Sequence, residues 1–312
     1  STPTRANHSM AGTVAAVALL TAVSGPAQGR IRLNTGAMMP YINCGGTSQA
    51  VKAGDHYSNY TEFIRQGGRG IDTALTYTDT INEQIAAALK VYPEVRDELF
   101  VTTKVPCCPS QSKWCTMPEF NGSVHDDVTR NNALLQVSIT DLTLLHWPCD
   151  TAEDTIQRWL ELEKVYAAGL TKAIGVSNFG VELLQQLIQD PRTTVVPAVN
   201  QCNHAIANHN ASHHPQYGGD DGTVNFCKAH NISYSAYSPL EGLNGGDVFD
   251  IPQVIAIGKA HNVSGAQVAF RWLIQQGITA VTAAHNPDYI AEDIDVFDFE
   301  LNPAEMATLS AI

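Results

Sequence analysis

Polar residues stand, again and again, at the ends of short apolar runs in this chain. Asp72 ends the run in GRGIDTA, Lys104 closes ELFVTTK, His146 closes DLTLLH, and Ser177-Asn178 close KAIGVSN. Gln201 closes VVPAVNQ, Tyr237-Ser238 close ISYSAYS, and ITAVTAA fills an eighth strand position. Helical patterning separates each run from the next. Strand, helix, strand, with functional groups at the strand ends, predicts an α/β fold of the (β/α)8 TIM barrel type in one domain over residues 30–312. In that architecture chemistry gathers at the C-terminal rim, because the strand bodies are packed core.

The predicted strands run over 41–44, 70–73, 99–104, 142–146, 172–176, 195–200, 232–237 and 279–282. Helices are expected to end near 66 and to cover 81–91, 128–137, 155–168, 181–188, 224–230, 252–260, 266–276 and 303–310. The segment 155–168 carries the clearest signal, with Ile156, Trp159, Leu162 and Val165 on one face and Gly169 as its stop. A hairpin-like entry precedes the first barrel strand. Hydrophobic content of 44% with 16% charged residues suits a chain that buries a large core. The net charge of −13 argues against nucleic acid as a partner, which would need clustered Lys and Arg.

Residues 1–29 read differently. No Asp or Glu occurs before Asp55, and an apolar stretch over 10–23 leads to the small residues Ser24-Gly25-Pro26-Ala27. The stretch is shorter than the ~18–20 residues of a spanning helix. The pattern predicts a signal or transit peptide and a membrane-bounded compartment, either plastid (thylakoid lumen) or secretory pathway. If retained, this apolar segment would serve as a membrane-surface or protein-complex contact.

Cys107, Cys108 and Cys115 crowd an insertion after the third strand; Cys107 or Cys108 could pair with Cys115 or Cys149 in an oxidising compartment. A second insertion carries His204, His209, His213 and His214. It is read as a solvated loop rather than a metal site, since no carboxylate or strand-fixed ligand frames it, and no metal is assigned.

The motifs GRGIDTALTY, ELFVTTKV, DLTLLHWP, KAIGVSNF, PAVNQ, SAYSPL and VFDFEL, in this order, resemble the aldo-keto reductases from about residue 33 to the C-terminus. The resemblance implies hydride transfer between NAD(P)H and a carbonyl, with a catalytic set of Asp72, Tyr77, Lys104 and His146. Tyr77 would be the general acid, its phenol made a better donor by the Lys104 ammonium. Asp72 would hold Lys104 charged, and His146 would donate to the carbonyl oxygen. Ser177, Asn178 and Gln201 would hold the nicotinamide carboxamide, and Tyr237 would stack on its ring. Ser238 and Leu240 would lie along the pyrophosphate.

The chain departs from the family at the nucleotide's far end. Where relatives carry I-P-K-S and then an Arg for the 2′-phosphate of NADP, this sequence has Val281-Thr282-Ala283-Ala284 and Tyr289. Losing two cations removes several kcal/mol from a dianion's clamp. Glu292 remains on the adenosine side, and Asp293 beside it would repel a phosphate, so NADP is expected to bind weakly and NAD to be less penalised. A substrate-lining Trp and the G-N-E after the tyrosine are replaced, and the family's pocket-shaping C-terminal tail is expected to be lacking. Two functions are therefore expected: reduction of an aldehyde or ketone with NADP or NAD, or an inactive barrel, a pseudoenzyme acting as a structural or binding subunit of an organellar or membrane-associated assembly.

Overall fold

The computed structural model describes residues 29–46, 58–77, 79–106, 122–209, 217–240 and 247–312. The leader up to residue 28, the Cys-rich stretch with Cys107, Cys108 and Cys115, and His213 with His214 lie outside the described residues.

Two short strands, β1 (Arg30–Arg32) and β2 (Met38–Pro40), pair antiparallel as the expected hairpin. They are followed by β3 (Ile42–Gly45), β4 (Gly70–Asp72), β5 (Phe100–Val105), β6 (Leu142–Leu145), β7 (Ile174–Ser177), β8 (Val199–Asn203), β9 (Ser233–Tyr237) and β10 (Thr279–Thr282). These pair in parallel, each with its chain neighbour, and β10 closes on β3. The barrel predicted from the strand ends is present. Strand side chains alternate between its two sides. Ile42, Cys44, Val101, Val105, Ile174, Val176, Tyr234 and Ala236 pack outward into the layer beneath the helices. Phe100, Leu142, Leu144 and Val199 form a separate buried cluster with Leu33 and Met39, so the hairpin plugs the barrel floor. Close approach on the inner side leaves no room for a side chain at Gly175, where a Cβ would lie 2.4 Å from the Val199 carbonyl oxygen.

The helices are α1 (Tyr60–Arg65), α2 (Asp79–Val91), α3 (Val124–Leu135), α4 (Ala152–Ala167), α5 (Val181–Gln189), α6 (Asp221–Ala229), α7 (Pro252–His261), α8 (Gly265–Gln275), α9 (Pro287–Ile294) and α10 (Pro303–Leu309). Helix α4 starts at an N-cap Thr151 that accepts from the Asp154 amide, and it buries Ile156, Trp159, Leu162 and Val165 as expected. Helix α8 begins with a reciprocal Ser264–Gln267 capping box and is buried almost throughout. Helix α9 falls where no element was expected, capped by Asn286 with Pro287 at its first turn. Strand β8 starts at Val199 rather than at 195, and Pro197, which has no amide hydrogen for a ladder, lies in the irregular lead-in.

Arg158 on α4 donates to the Pro106 and Gly122 carbonyls and to Asp127 at 3.1 Å, and so ties down both ends of the Cys-rich insertion. Cys149 is disulfide-bonded with its partner outside the described residues, while Cys44, Cys202 and Cys227 are buried thiols. Among the described residues no helix is long and apolar enough to cross a membrane.

The expectation of a solvated histidine loop is corrected for two of its members. His204 is fully buried and stacks on Trp272, with ring centroids 5.7 Å apart and 10° between planes. His209, equally sequestered, packs on the same indole and faces Asp221 through Nδ1 at 3.0 Å. Neither ring nitrogen of His204 has a hydrogen-bond partner among the described residues. Burial, reinforced by His209, pushes the His204 pKa down to about 3.

An unfolded histidine titrates near pH 6.5, so below that pH the unfolded chain gains a proton that the folded chain refuses until about pH 3. Stability from this group is complete above about pH 6.5 and drains as pH falls, by up to ~1.4 kcal/mol per pH unit. Urea midpoints measured from pH 7 to pH 4 should therefore fall with acidity, and His204→Phe should flatten that fall. An unchanged slope in the variant would remove His204 from the account.

Candidate active site

Inward-facing positions repeat every second residue, so the last inward residue of each strand points into the barrel mouth. On β4 that residue is Asp72 and on β5 it is Lys104. The Lys104 Nζ donates to Asp72 Oδ1 at 2.5 Å and to the Thr73 carbonyl at 2.9 Å. Both side chains are 2% exposed. The second Asp72 oxygen accepts from Gln201 Nε2 at 2.8 Å, reaching across the mouth from β8. A buried ion pair is tolerated when its remaining lone pairs and protons find partners, and here they do.

Tyr77 lies in the turn after β4, with Lys104 Nζ 5.4 Å from its ring centroid. His146 follows β6 and meets the Tyr77 ring edge-on at 5.8 Å. Its Nδ1 stands 3.1 Å from the hydroxyl of Thr76. Asp72, Tyr77, Lys104 and His146 thus converge, although they come from widely separated stretches of chain.

Burial is the largest influence on Tyr77 and raises its phenol pKa; Lys104 counters with charge and a hydrogen bond, Asp72 adds to the rise, and the net shift is upward. The lysine pulls in the direction expected from the sequence, but desolvation is stronger. For Lys104 burial favours the neutral amine, yet Asp72 and Tyr77 outweigh it and the ammonium is held above its usual range. Burial, with the Lys104 charge behind it, pushes His146 down to about 3, so its imidazole is neutral at ordinary pH.

The opposite wall carries the residues expected to hold a nicotinamide. Ser177 Oγ donates to the Gln201 carbonyl at 2.7 Å. Asn178 adopts a left-handed backbone (φ 64°), and its Nδ2 donates to the His146 carbonyl at 3.0 Å and to Ser177 Oγ at 3.1 Å. Its Oδ1 accepts from the Tyr237 hydroxyl at 2.8 Å. This wall therefore offers amide and hydroxyl donors and acceptors beside a half-buried aromatic face, a set that suits a carboxamide on an aromatic ring. Ser238 is exposed in a left-handed conformation, and half-buried Leu240 accepts from the Val248 amide at 3.1 Å.

Glu292 lies half-buried on α9, away from this network. Beside it Asp293 is buried and accepts from Thr282 Oγ1 at 2.7 Å. Burial, opposed by Thr282 and reinforced by Glu292, raises the Asp293 carboxyl to about 6. Tyr289 is 60% exposed, and no Lys or Arg occurs between residues 279 and 293. Three features escaped the sequence reading: the Thr76 hydroxyl on His146, the Gln201 bond to Asp72, and an aromatic wall in which Trp147 meets Tyr217 edge-on at 5.4 Å. Thr76 alone had a local signal, a hydroxyl next to the candidate tyrosine.

In sequence and in fold the chain is similar to known proteins. The Aldo/keto reductase family profile matches residues 41–312. The glyoxal reductase of Bacillus subtilis (strain 168) is 32% identical over 283 residues, covering 90% of this chain and 92% of the relative. The morphine 6-dehydrogenase of Pseudomonas putida is 34% identical over 292 residues, with 90% of each chain covered. Among solved structures, an aldo-keto reductase enzyme from a Medee basin deep-sea metagenome library superposes with a TM-score of 0.74 at 28% identity, covering 90% of this chain and 94% of that one.

The ion pair makes a prediction that needs no knowledge of substrate. Asp72→Asn leaves the Lys104 charge buried and uncompensated and should cost about 3–5 kcal/mol of stability in urea unfolding. The double variant Asp72→Asn/Lys104→Met should recover most of that loss. Equal destabilisation in both would show that the pair is not the source.

Proposed function

The chain belongs to the aldo/keto reductase family and is an oxidoreductase of that kind, and on this premise we propose that it reduces a small aldehyde or ketone with Tyr77 as proton donor and NADH as the preferred reductant. The observation that carries the reading is the convergence of Tyr77, Lys104, Asp72 and His146 at the barrel mouth.

The nicotinamide nucleotide supplies the hydride when bound, and the amide–hydroxyl wall of Ser177, Asn178 and Gln201 with the Tyr237 ring suits its carboxamide end. The chain's own work lies at the carbonyl oxygen. A neutral His146 can hydrogen-bond that oxygen without adding a second full charge beside Lys104. As the oxygen becomes an alkoxide it takes the Tyr77 proton. An alkoxide is far more basic than a phenolate, so transfer remains downhill even from a phenol whose pKa is raised. Lys104 then stabilises the phenolate left behind, while Asp72 and Gln201 keep the ammonium in place.

The preference for NADH rests on Ala283, Ala284 and Tyr289, which offer no cation to a 2′-phosphate, and on the acidic Glu292 nearby, which disfavours one. The absence of the clamp weakens only the phosphorylated nucleotide, so the catalytic end is unaffected.

Glyoxal, the substrate in the name of the Bacillus relative, is the carbonyl to assay first. Tyr77→Phe should lower kcat by roughly 10²–10⁴-fold with NADH affinity unchanged. Unaltered turnover would take the donor role from Tyr77. Because the phenol is held above its usual range, kcat for reduction should stay level through neutral pH and fall only above about pH 10. Ala283→Lys/Tyr289→Arg should shift kcat/KM toward NADPH by about tenfold or more. Failure of either nucleotide to quench Trp fluorescence at millimolar concentration would instead favour a binding or structural role.

A further inference from the structure

We propose that Thr76 is a positioning residue that fixes the tautomer of His146: its hydroxyl donates to Nδ1 and thereby keeps the ring proton on Nε2, the nitrogen left to meet the carbonyl oxygen. The inference deepens the reductase reading above and rests on it for its functional part, though not for its structural part.

The observation is the 3.1 Å approach of Thr76 Oγ1 to His146 Nδ1. Thr76 and His146 are both part-buried, and the contact joins the turn after β4 to the segment after β6. Two arrangements satisfy that distance. In one, the hydroxyl donates to a bare Nδ1 and Nε2 carries the hydrogen. In the other, Nδ1–H donates to the hydroxyl and Nε2 is left with a lone pair. A neutral imidazole has one proton to place, so the bond at one nitrogen decides the state of the other.

The chemistry of the site separates the two. A carbonyl oxygen and the alkoxide formed from it present only lone pairs. An Nε2 lone pair would repel them, and most strongly where charge develops; an Nε2–H would stabilise them there. Protonating both nitrogens would supply the same donor but is opposed by burial and by the neighbouring Lys104 charge. With the ring held neutral, the proton must be directed to Nε2 by a donor at Nδ1, and a hydroxyl can be that donor where a backbone carbonyl or a carboxylate cannot.

The rest of the environment makes the ring a fixed platform for this choice. The His146 amide donates to the Val105 carbonyl at 2.9 Å, and its carbonyl accepts from Asn178 at 3.0 Å. The Tyr77 ring packs edge-on against it. Backbone and ring plane are thus set by other groups, so what Thr76 adds is the choice of protonated nitrogen. Thr76 is also adjacent in sequence to Tyr77. One turn therefore places the proton donor and sets the hydrogen bond that orients its partner.

The test is imidazole-¹⁵N NMR of the wild-type protein without substrate, since the shifts of a bare and a protonated ring nitrogen differ widely. His146 should report Nε2–H with a hydrogen-bonded, bare Nδ1. Thr76→Val should shift it toward Nδ1–H or a mixture and lower kcat/KM for carbonyl reduction by about tenfold or more, while NADH affinity holds. Thr76→Ser, which keeps the hydroxyl, should restore both the spectrum and most of the rate. An Nδ1–H signal in the wild type, or an Nε2–H signal that survives Thr76→Val, would overturn the proposal. Should no carbonyl be turned over by the wild type, the reductase reading fails on its own, and the spectra still decide what Thr76 does to the ring.

Discussion

Two opposite charges held 2.5 Å apart inside a barrel mouth set the terms for everything around them. Taking Lys104 and Asp72 out of water is costly, and their attraction offsets that only because each remaining polar atom is also used. Thr73 supplies a carbonyl to the ammonium, and Gln201 reaches from β8 to the free carboxylate oxygen. The closed strand circuit makes this feasible: β4 and β5 are neighbours in register, and β8 is brought to the far side of the same mouth. In an open sheet Gln201 would have no such path, and Asp72 would be left half-satisfied.

The charge that results is used twice. Toward Tyr77 it works against a desolvation that would otherwise lift the phenol further. Toward His146 it works with burial, keeping the imidazole neutral. The same ammonium therefore favours loss of a proton from one neighbour and refuses a proton to the other. A site with one cation, one phenol and one neutral ring differs from one with two cations, since only the former can pass a single proton to a developing alkoxide without competition.

Much of this was legible in the sequence, for a definite reason. Alternation along a strand with one buried side ties register to residue identity, so a polar residue ending an apolar run can only be a rim residue. That logic located Asp72, Lys104, His146, Ser177, Gln201 and Tyr237. It failed where period and burial were not the determinant. Helix α9 is signalled by Asn286-Pro287 rather than by an apolar stripe, and β8 begins late because Pro197 has no amide hydrogen for a ladder. His204 and His209 read as loop residues because their burial depends on Trp272, distant in sequence. The net direction of the Tyr77 shift was not legible either, since it is a contest between desolvation and charge that only distances decide. The partner of Thr76 was not legible either, since only the fold puts His146 beside it.

The residues gathered at the mouth and the segment expected to meet the nucleotide's phosphate come from different strands, β4 to β9 for the former and β10 for the latter. Asp72, Lys104 and Gln201 occupy inward positions on β4, β5 and β8, where each side chain is braced by a neighbour on another strand. Under the proposed function the phosphate end would lie along the segment after β10, whose last residue, Thr282, bonds Asp293 on α9. The hydrogen bonds of the Lys104 network involve none of Ala283, Ala284 and Tyr289, so under the proposed function changes there would alter which dinucleotide fits and leave the acid–base geometry in place. Asp293, buried and drawn toward its neutral form, fills with a carboxyl–hydroxyl pair the region behind that end. Under the proposed function, nucleotide choice would thus rest on a surface helix and its cap, separable in principle from the chemistry at the mouth.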